Sequence, residues 1–344
     1  MKKKTWKLGV LAALGALALS GCGRSLTAEQ AVPEAYGKLT SADSFAFESS
    51  TQIQVSSEGI DAGGTGMLAA PAAALANGTL NLSINGAYDK ALGELEAELS
   101  LASTGEDGTE LKINSVLIVA DGKAYIKIPD TLATLVGAPQ FAGKFYQPNI
   151  NMAIPLQTED INGLAEDILR VAAQEYDGSI LINAGSKSAR VPEGVKADSV
   201  ARLELKEKDL EPVFRKAVRE VAPRIVDDVL GGKEWKDKLQ ITDEDLEEMH
   251  ASLDNTSDES IESAAKRITD AADIRKAVLD LGTNRDGLPQ YGRLSMDFDI
   301  MNGTDTAQPV SVQIEGTTVF KNYNGTQTFN YSIPSGDEVI PGGF

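Results

Sequence analysis

The 344-residue sequence predicts an α+β protein, in which one curved antiparallel sheet carries helices on its concave face. Three observations carry this reading. Period-two alternation of apolar and polar residues runs through 45–128 and returns over 294–333, while 159–281 mostly follows the helical period. Asp121-Gly122 and Asn324-Gly325 supply turn residues that accept positive φ, as two-residue hairpins require. The order helix, meander, helical block, meander also differs from the β-α-β alternation of a doubly wound parallel sheet. Two domains divided near residues 129–160 are the alternative.

Residues 1–21 stand apart from this fold. Lys2, Lys3, Lys4 and Lys7 precede an apolar stretch from Leu8 to Leu19, well short of the ~20 residues a bilayer span needs. Leu19-Ser20-Gly21-Cys22 closes it, and Cys22 is the only cysteine. The ending resembles the lipobox of bacterial lipoproteins. That resemblance implies cleavage before Cys22, a diacylglycerol thioether on its sulfur and acylation of the new amino group. Residues 22–26 are then a lipidated tether, and two acyl chains suffice for stable anchoring where one does not. A thiolate is the nucleophile such a modification needs.

The folded part begins with a helix over 26–40, with Thr27 as N-cap and Glu29 and Gln30 in its first turn. Phe45 to Val55 alternates as a half-buried strand. Residues 60–77, rich in Gly, Ala and Pro, read as a flexible insertion or a short Ala-rich helix between strands. Strands follow at 79–88, 93–102, 110–120 and 123–128, joined sequentially as an antiparallel meander. The helical block comprises 159–176, 209–230 with Pro223 as a kink, a helix capped by Thr242, and 258–281; short strands lie at 179–184 and 201–205. The second meander runs through 294–301, 310–321 and 326–333. A Gly- and Pro-rich tail, 335–344, reads as loose.

Charge narrows the function. The chain carries 32 basic and 51 acidic residues, a net charge of −19; without the four leader lysines the balance is 28 to 51, or −23. Such a surface repels phosphate backbones, so no nucleic-acid partner is expected. His250 is the sole histidine, set among Glu247 and Glu248, and reads as an exposed helix residue. Histidine-rich zinc sites and Cys-His nucleophiles fail on count. Asp254 to Glu259 and Asn284 to Gly287 lack the glycine and glutamate positions of an EF-hand loop and read as caps and turns. Glu94, Glu96 and Glu98 read as a solvent face, and Asn77, Asn302 and Asn324 as turns. Gly63-Gly64-Thr65-Gly66 lacks the lysine of a phosphate loop. No cofactor, metal or catalytic residue is expected.

The layout also resembles a family. A lipobox, a short helix through Ala35-Tyr36-Gly37-Lys38-Leu39 into a Ser-rich turn and long first strand, the hairpin Asp121-Gly122-Lys123-Ala124-Tyr125-Ile126-Lys127, and the strand-to-helix step at 201–221 are similar to lipoproteins of the LolA/LppX/LprG-like fold. Asp286-Gly287-Leu288-Pro289 at the entry to late paired strands is similar too. The resemblance implies an unclosed half-barrel over 27–334, whose helix-plugged concave side holds acyl chains. The insertion at 69–77 and the long acidic helical region depart from the pattern.

The expected protein is a non-enzymatic, membrane-anchored binder or carrier of a lipid or other amphiphile, held at the cell membrane's extracytoplasmic face through Cys22. Candidate lining residues are Phe47, Ile53, Leu82, Ile84, Leu95, Leu99, Phe298 and Ile300. A solid core made of the same residues, in an envelope interaction module with no small ligand, is the alternative.

Overall fold

The computed structural model describes residues 26–57, 78–104, 110–148, 158–185, 189–301 and 309–341. Cys22, the 60–77 insertion, Asn77 and Asn302 lie outside them. Among the described residues, twelve strands form one unclosed, mostly antiparallel sheet with helices against it, in an α+β half-barrel arrangement.

Helix α1 (Ala28–Ser41) starts at Thr27, whose amide donates to the Gln30 side chain at 3.4 Å. Five strands follow: β1 (Ser44–Ser57), β2 (Thr79–Asp89), β3 (Glu94–Thr104), β4 (Glu110–Ala120) and β5 (Lys123–Lys127). Each pairs antiparallel with the one before it. The β4–β5 turn places Asp121 and Gly122 at φ +53° and +71°, the double positive that Asp-Gly tolerates. Helix α2 (Asp130–Leu135) and β6 (Phe145–Gln147) complete the first half.

The helical block holds α3 (Thr158–Tyr176), two short strands β7 (Leu181–Asn183) and β8 (Ser199–Leu205), then α4 (Leu210–Lys216). Beyond α4 the backbone runs on through π turns at Ala217–Val221 and Ile225–Leu230, on either side of Ala222–Arg224. Wider turns accommodate Pro223, which cannot donate to an α-helical partner, without ending the helical path. Helices α5 (Lys233–Leu239), α6 (Asp243–Asp254) and α7 (Asp258–Ala271) follow. Thr242 caps α6 and Ser257 caps α7, each hydroxyl accepting from an amide at 3.1 Å.

Three expectations are corrected. The helix expected over 258–281 ends at Ala271, and Ala272–Thr283 is a strand, β9. A bulge at its pairing with β10 (Pro289–Ile300) makes Arg275 the extra residue, since Lys276 faces Asp297 and Ile274 faces Phe298. Ile274 and Ala277 therefore share a face at a spacing of three, which imitates a helix. The strand expected over 326–333 is absent, because β11 (Val310–Lys321) already has β1 on one side and β10 on the other. No edge remains for a hairpin partner, and the chain instead crosses the sheet. The tail expected to be loose forms β12 (Val339–Pro341), which pairs parallel with β6.

The spatial order is β12-β6-β5-β4-β3-β2-β1-β11-β10-β9-β8-β7. The first strand thus lies mid-sheet, paired with β11 over twelve residues from Ala46↔Lys321 to Ser57↔Val310. Strands from both sides of residues 129–160 share this one sheet.

Candidate functional site

Register sorts the sheet into two faces. On β1, Phe47 and Ile53 point one way, and their partners carry that face across the neighbours. Leu82 and Ile84 lie opposite Thr51 and Ser49, and Leu95 and Leu99 lie opposite Tyr88 and Ile84. In the other direction, Val55 meets Val312, which meets Phe298, and Ile300 meets Val310. All eight candidate residues therefore stand on one face. Leu294, Leu279 and Leu203 extend it to β8.

The burial of that face is unusual. Seven of the eight are only half-buried and Ile300 is exposed. Leu279 is 48% exposed, and Leu203 and Ile126 are exposed as well. The opposite face holds most of the sheet's fully buried residues, among them Val116, Ile118, Ala120, Tyr125, Val278 and Tyr291. Asp280, next to Leu279 in the chain, is 0% exposed. A two-faced sheet ordinarily buries its apolar side and wets its polar one; here much of the apolar side is left open.

Partial covers explain which parts are closed. At the β7–β8 end, α1 and α3 bring Ala28, Ala31 and Ala173 against Leu181 and Ala201. These small side chains let the helices approach closely. At the tight-turn end of β1, Phe45 clusters with Phe47, Tyr88, Phe320 and Tyr323, at centroid distances of 5.5 to 6.3 Å. The Phe47 ring lies over Gly86, where a Cβ would overlap it. Burial pushes the Tyr323 phenol up, and its hydroxyl donates to the Pro289 carbonyl at 2.7 Å. At the β4–β5 end, α2 roofs an apolar recess of about 450 Å³, lined by Ile113, Ile126, Ile128, Leu132, Val136 and Phe141. The sequence assigned no element to this stretch, placing only the alternative domain division near 129–160; its signal was the cluster Leu132, Ala133, Leu135 and Val136 before Gly137 and Pro139.

The polar face is closed by charge. Asp280 on β9 receives a bidentate pair from Arg202 on β8, Nε at 2.6 Å and Nη2 at 2.9 Å. Arg293 on β10 lies 3.7 Å from the same carboxylate and donates to Glu315 on β11 at 2.8 Å. The Ser295 hydroxyl donates to Glu315 at 2.6 Å and accepts from Lys276 at 2.6 Å. Burial alone would raise the Glu315 carboxyl, but the Ser295 hydrogen bond and the Arg293 charge outweigh it and hold it below its ordinary range. The Tyr291 phenol, fully buried beside this ladder, is pushed up to about 12, chiefly by burial and then by Asp280. Its hydroxyl has no hydrogen-bond partner among the described residues. Residues 184–185, 189–197 and 325–338 lie over this face. Ala189 and Val191 pack on Tyr291 and Val200, and the Glu96 carboxylate accepts from the amides of Asn330 and Tyr331 at 2.9 to 3.0 Å. Glu96, expected on a solvent face, is thus buried beneath the C-terminal segment.

The remaining candidates are spent on structure. His250 meets Asp227 at 2.9 Å on the surface of the helical block. Asp258 pairs with Arg215 and Arg219, and Asn284 accepts from the amides of Asp286 and Leu288 as an Asx turn. Asn324 sits at φ +54° and accepts from the Asp43 amide. Among the described residues, no group of three His, Cys, Asp or Glu side chains could hold a metal, and no helix is long and apolar enough to cross a membrane.

No family profile matches the chain, and none of the curated proteins matches it. Among solved structures, it is similar to one described as lipid–protein interactions in lipovitellin, at 6% identity and a TM-score of 0.27. The alignment covers 84% of this chain and 26% of that one, so this chain spans about a quarter of that protein's length. An overlay this loose transfers neither fold nor ligand.

Proposed function

We propose that this chain is a non-enzymatic, extracytoplasmic lipoprotein that binds a lipid or similar amphiphile on the open apolar face of its sheet. The observation that carries the reading is the inverted burial: Leu279 is 48% exposed while its neighbour Asp280 is 0% exposed. Apolar surface left in water on this scale is the mark of an interaction site. An acyl chain suits it, because alternate residues of adjacent strands present a broad, predominantly apolar surface, interrupted at mid-sheet by Ser49, Thr51 and Thr318. Each methylene removed from water contributes about 0.8 kcal/mol, so a dozen give roughly 10 kcal/mol before the costs of binding.

Cys22 supplies the anchor in this reading. A thioether-linked diacylglycerol holds so acidic a protein at an anionic membrane, where charge alone would repel it. The Cys22→Ser variant is then released from the membrane fraction, and continued co-fractionation sinks the anchor. The ligand is tested separately. The soluble Cys22→Ser protein is purified, its organic extract weighed by mass spectrometry, and its binding of an environment-sensitive fluorescent fatty acid titrated. Stoichiometric lipid in the extract, or saturable probe binding competed by phospholipid, is expected. An empty extract together with no probe binding rejects the lipid reading in favour of an envelope interaction module.

A further inference from the structure

Helix α2 is built the wrong way round for a core helix. Its one buried residue is Ala133, while Leu135 points outward at 53% exposed and Leu132 and Val136, at the mouth of the recess that they line, are exposed as well. Ile126 and Tyr146, paired across β5 and β6 beside it, are exposed as well. Five large apolar side chains thus crowd one corner of the molecule. Beneath them lies the recess of about 450 Å³, whose floor residues Ile113 and Ser115 belong to the open face of β4.

The charge of this corner is also local. Residues 110–148 carry four lysines against Glu110, Asp121 and Asp130, whereas residues 242–265 carry nine acids and no lysine or arginine. Lys127 borders the apolar recess. Lys112 and Lys127 together border a second recess beside it, shared with Asp130 and Glu98. The Lys144 carbonyl accepts from the Ile128 amide, which fixes that residue next to α2. An apolar knob flanked by lysines, with a tyrosine at its margin, has the make-up of a surface that enters the headgroup zone of a bilayer. Lysines there are drawn to anionic lipid.

We propose that the α2 corner docks on an anionic lipid bilayer, inserting Leu132, Leu135 and Val136, and that an acyl chain passes beneath α2 between bilayer and sheet. The passage, unlike the docking, rests on the lipid-binding reading above. Leu26, where the tether joins the fold, packs at the β7–β8 end. A tether and an α2 contact would therefore hold the sheet at two separated points.

The test uses the chain from position 22 with Cys22→Ser, which retains every described element. Co-sedimentation is measured with phosphatidylcholine vesicles, with and without phosphatidylglycerol, for this protein and for a Leu132→Glu/Leu135→Glu/Val136→Glu variant. At least tenfold tighter binding to the phosphatidylglycerol vesicles is expected, and the triple variant should lose it. These side chains are exposed, and circular dichroism confirms that the variant stays folded. In a separate Leu135→Trp protein, emission should shift to the blue and be quenched by brominated phosphatidylglycerol, while Trp235, buried and bonded to Asp167 at 2.8 Å, is not. Undiminished sedimentation of the triple variant, equal binding to pure phosphatidylcholine, or an unquenched Trp at 135 overturns the proposal. So does a concentration-dependent dimer that the triple variant abolishes, which would assign the corner to a second copy. Failure of the parent to bind the fatty-acid probe while still docking rejects the lipid-carrier reading and leaves the docking intact.

Discussion

Leu279 and Asp280 are consecutive residues of one strand, yet water reaches the leucine and not the aspartate. The contrast extends over the sheet. On the polar face, Arg202, Asp280, Arg293 and Glu315 pair across successive strands, Glu96 is held by backbone amides, and overlying chain segments exclude solvent. On the apolar face, helices close one end, aromatic rings another and α2 a corner, leaving the middle half-covered. A buried carboxylate is tolerable when it is paired and hydrogen-bonded, and the Arg202–Asp280–Arg293–Glu315 ladder meets that condition. Stability therefore resides chiefly on one side, which frees the other to keep surface available for a ligand.

The strongest way to break this division is to unbalance the ladder. Asp280→Asn leaves Arg202 and Arg293 facing an uncharged amide inside the protein, and a loss of about 3–5 kcal/mol is expected in urea unfolding. A loss under about 1 kcal/mol would mean that the polar face does not hold the fold. Next comes Gly282→Ala. Gly282 lies opposite Tyr291, whose ring occupies the space a Cβ would take. Overpacking there should cost about 1–3 kcal/mol, whereas alanine at Gly292, where nothing lies near the Cβ position, should cost far less.

Acid titration sharpens the same point. The Glu315 carboxyl is held below its ordinary range in the folded state. Its contribution is therefore complete above the unfolded carboxylate pKa, near 4, and fades as pH falls through the lower folded value. Melting temperature should drop more steeply below pH 4 in the parent than in Glu315→Gln; parallel curves would remove Glu315 from the account. The smallest expected change in stability is on the opposite side. Ile84→Ser with Phe298→Ser should cost the half-buried sheet much less than Asp280→Asn does, while weakening fatty-acid probe binding at least fivefold. Unchanged probe affinity would place the ligand elsewhere.

Much of this architecture was legible in the residues. Alternation located β1 to β5, β10 and β11, and it put all eight lining candidates on a common face, because period two fixes side-chain direction whatever the partner. Long-range relations were not legible. Arg275, as a bulge residue, broke the alternation of β9 and gave it a helical spacing. Thr326 to Ile333 has strand character but no free edge to join, since β1 from the far end of the sequence had taken it. The ladder draws on Arg202, Asp280, Arg293 and Glu315, whose proximity exists only once four strands are in register. Nor could periodicity tell whether the apolar face would be covered, because cover depends on where α1, α3 and α2 come to rest.

The central place of β1 has a consequence for how the molecule is made. Its partner β11 ends 273 residues beyond Glu48, at Lys321, and the two side chains meet across the seam. Strands β2 to β5 can assemble on β1 by local hairpins, and β9 to β11 on one another, but the two half-sheets join only when almost the whole chain is present. Contacts so distant in sequence close slowly, because chain entropy must be surrendered before they repay it. Until then both halves display an unpaired central edge, so the interval between synthesis and zipping is when this protein most needs to be kept from its own copies.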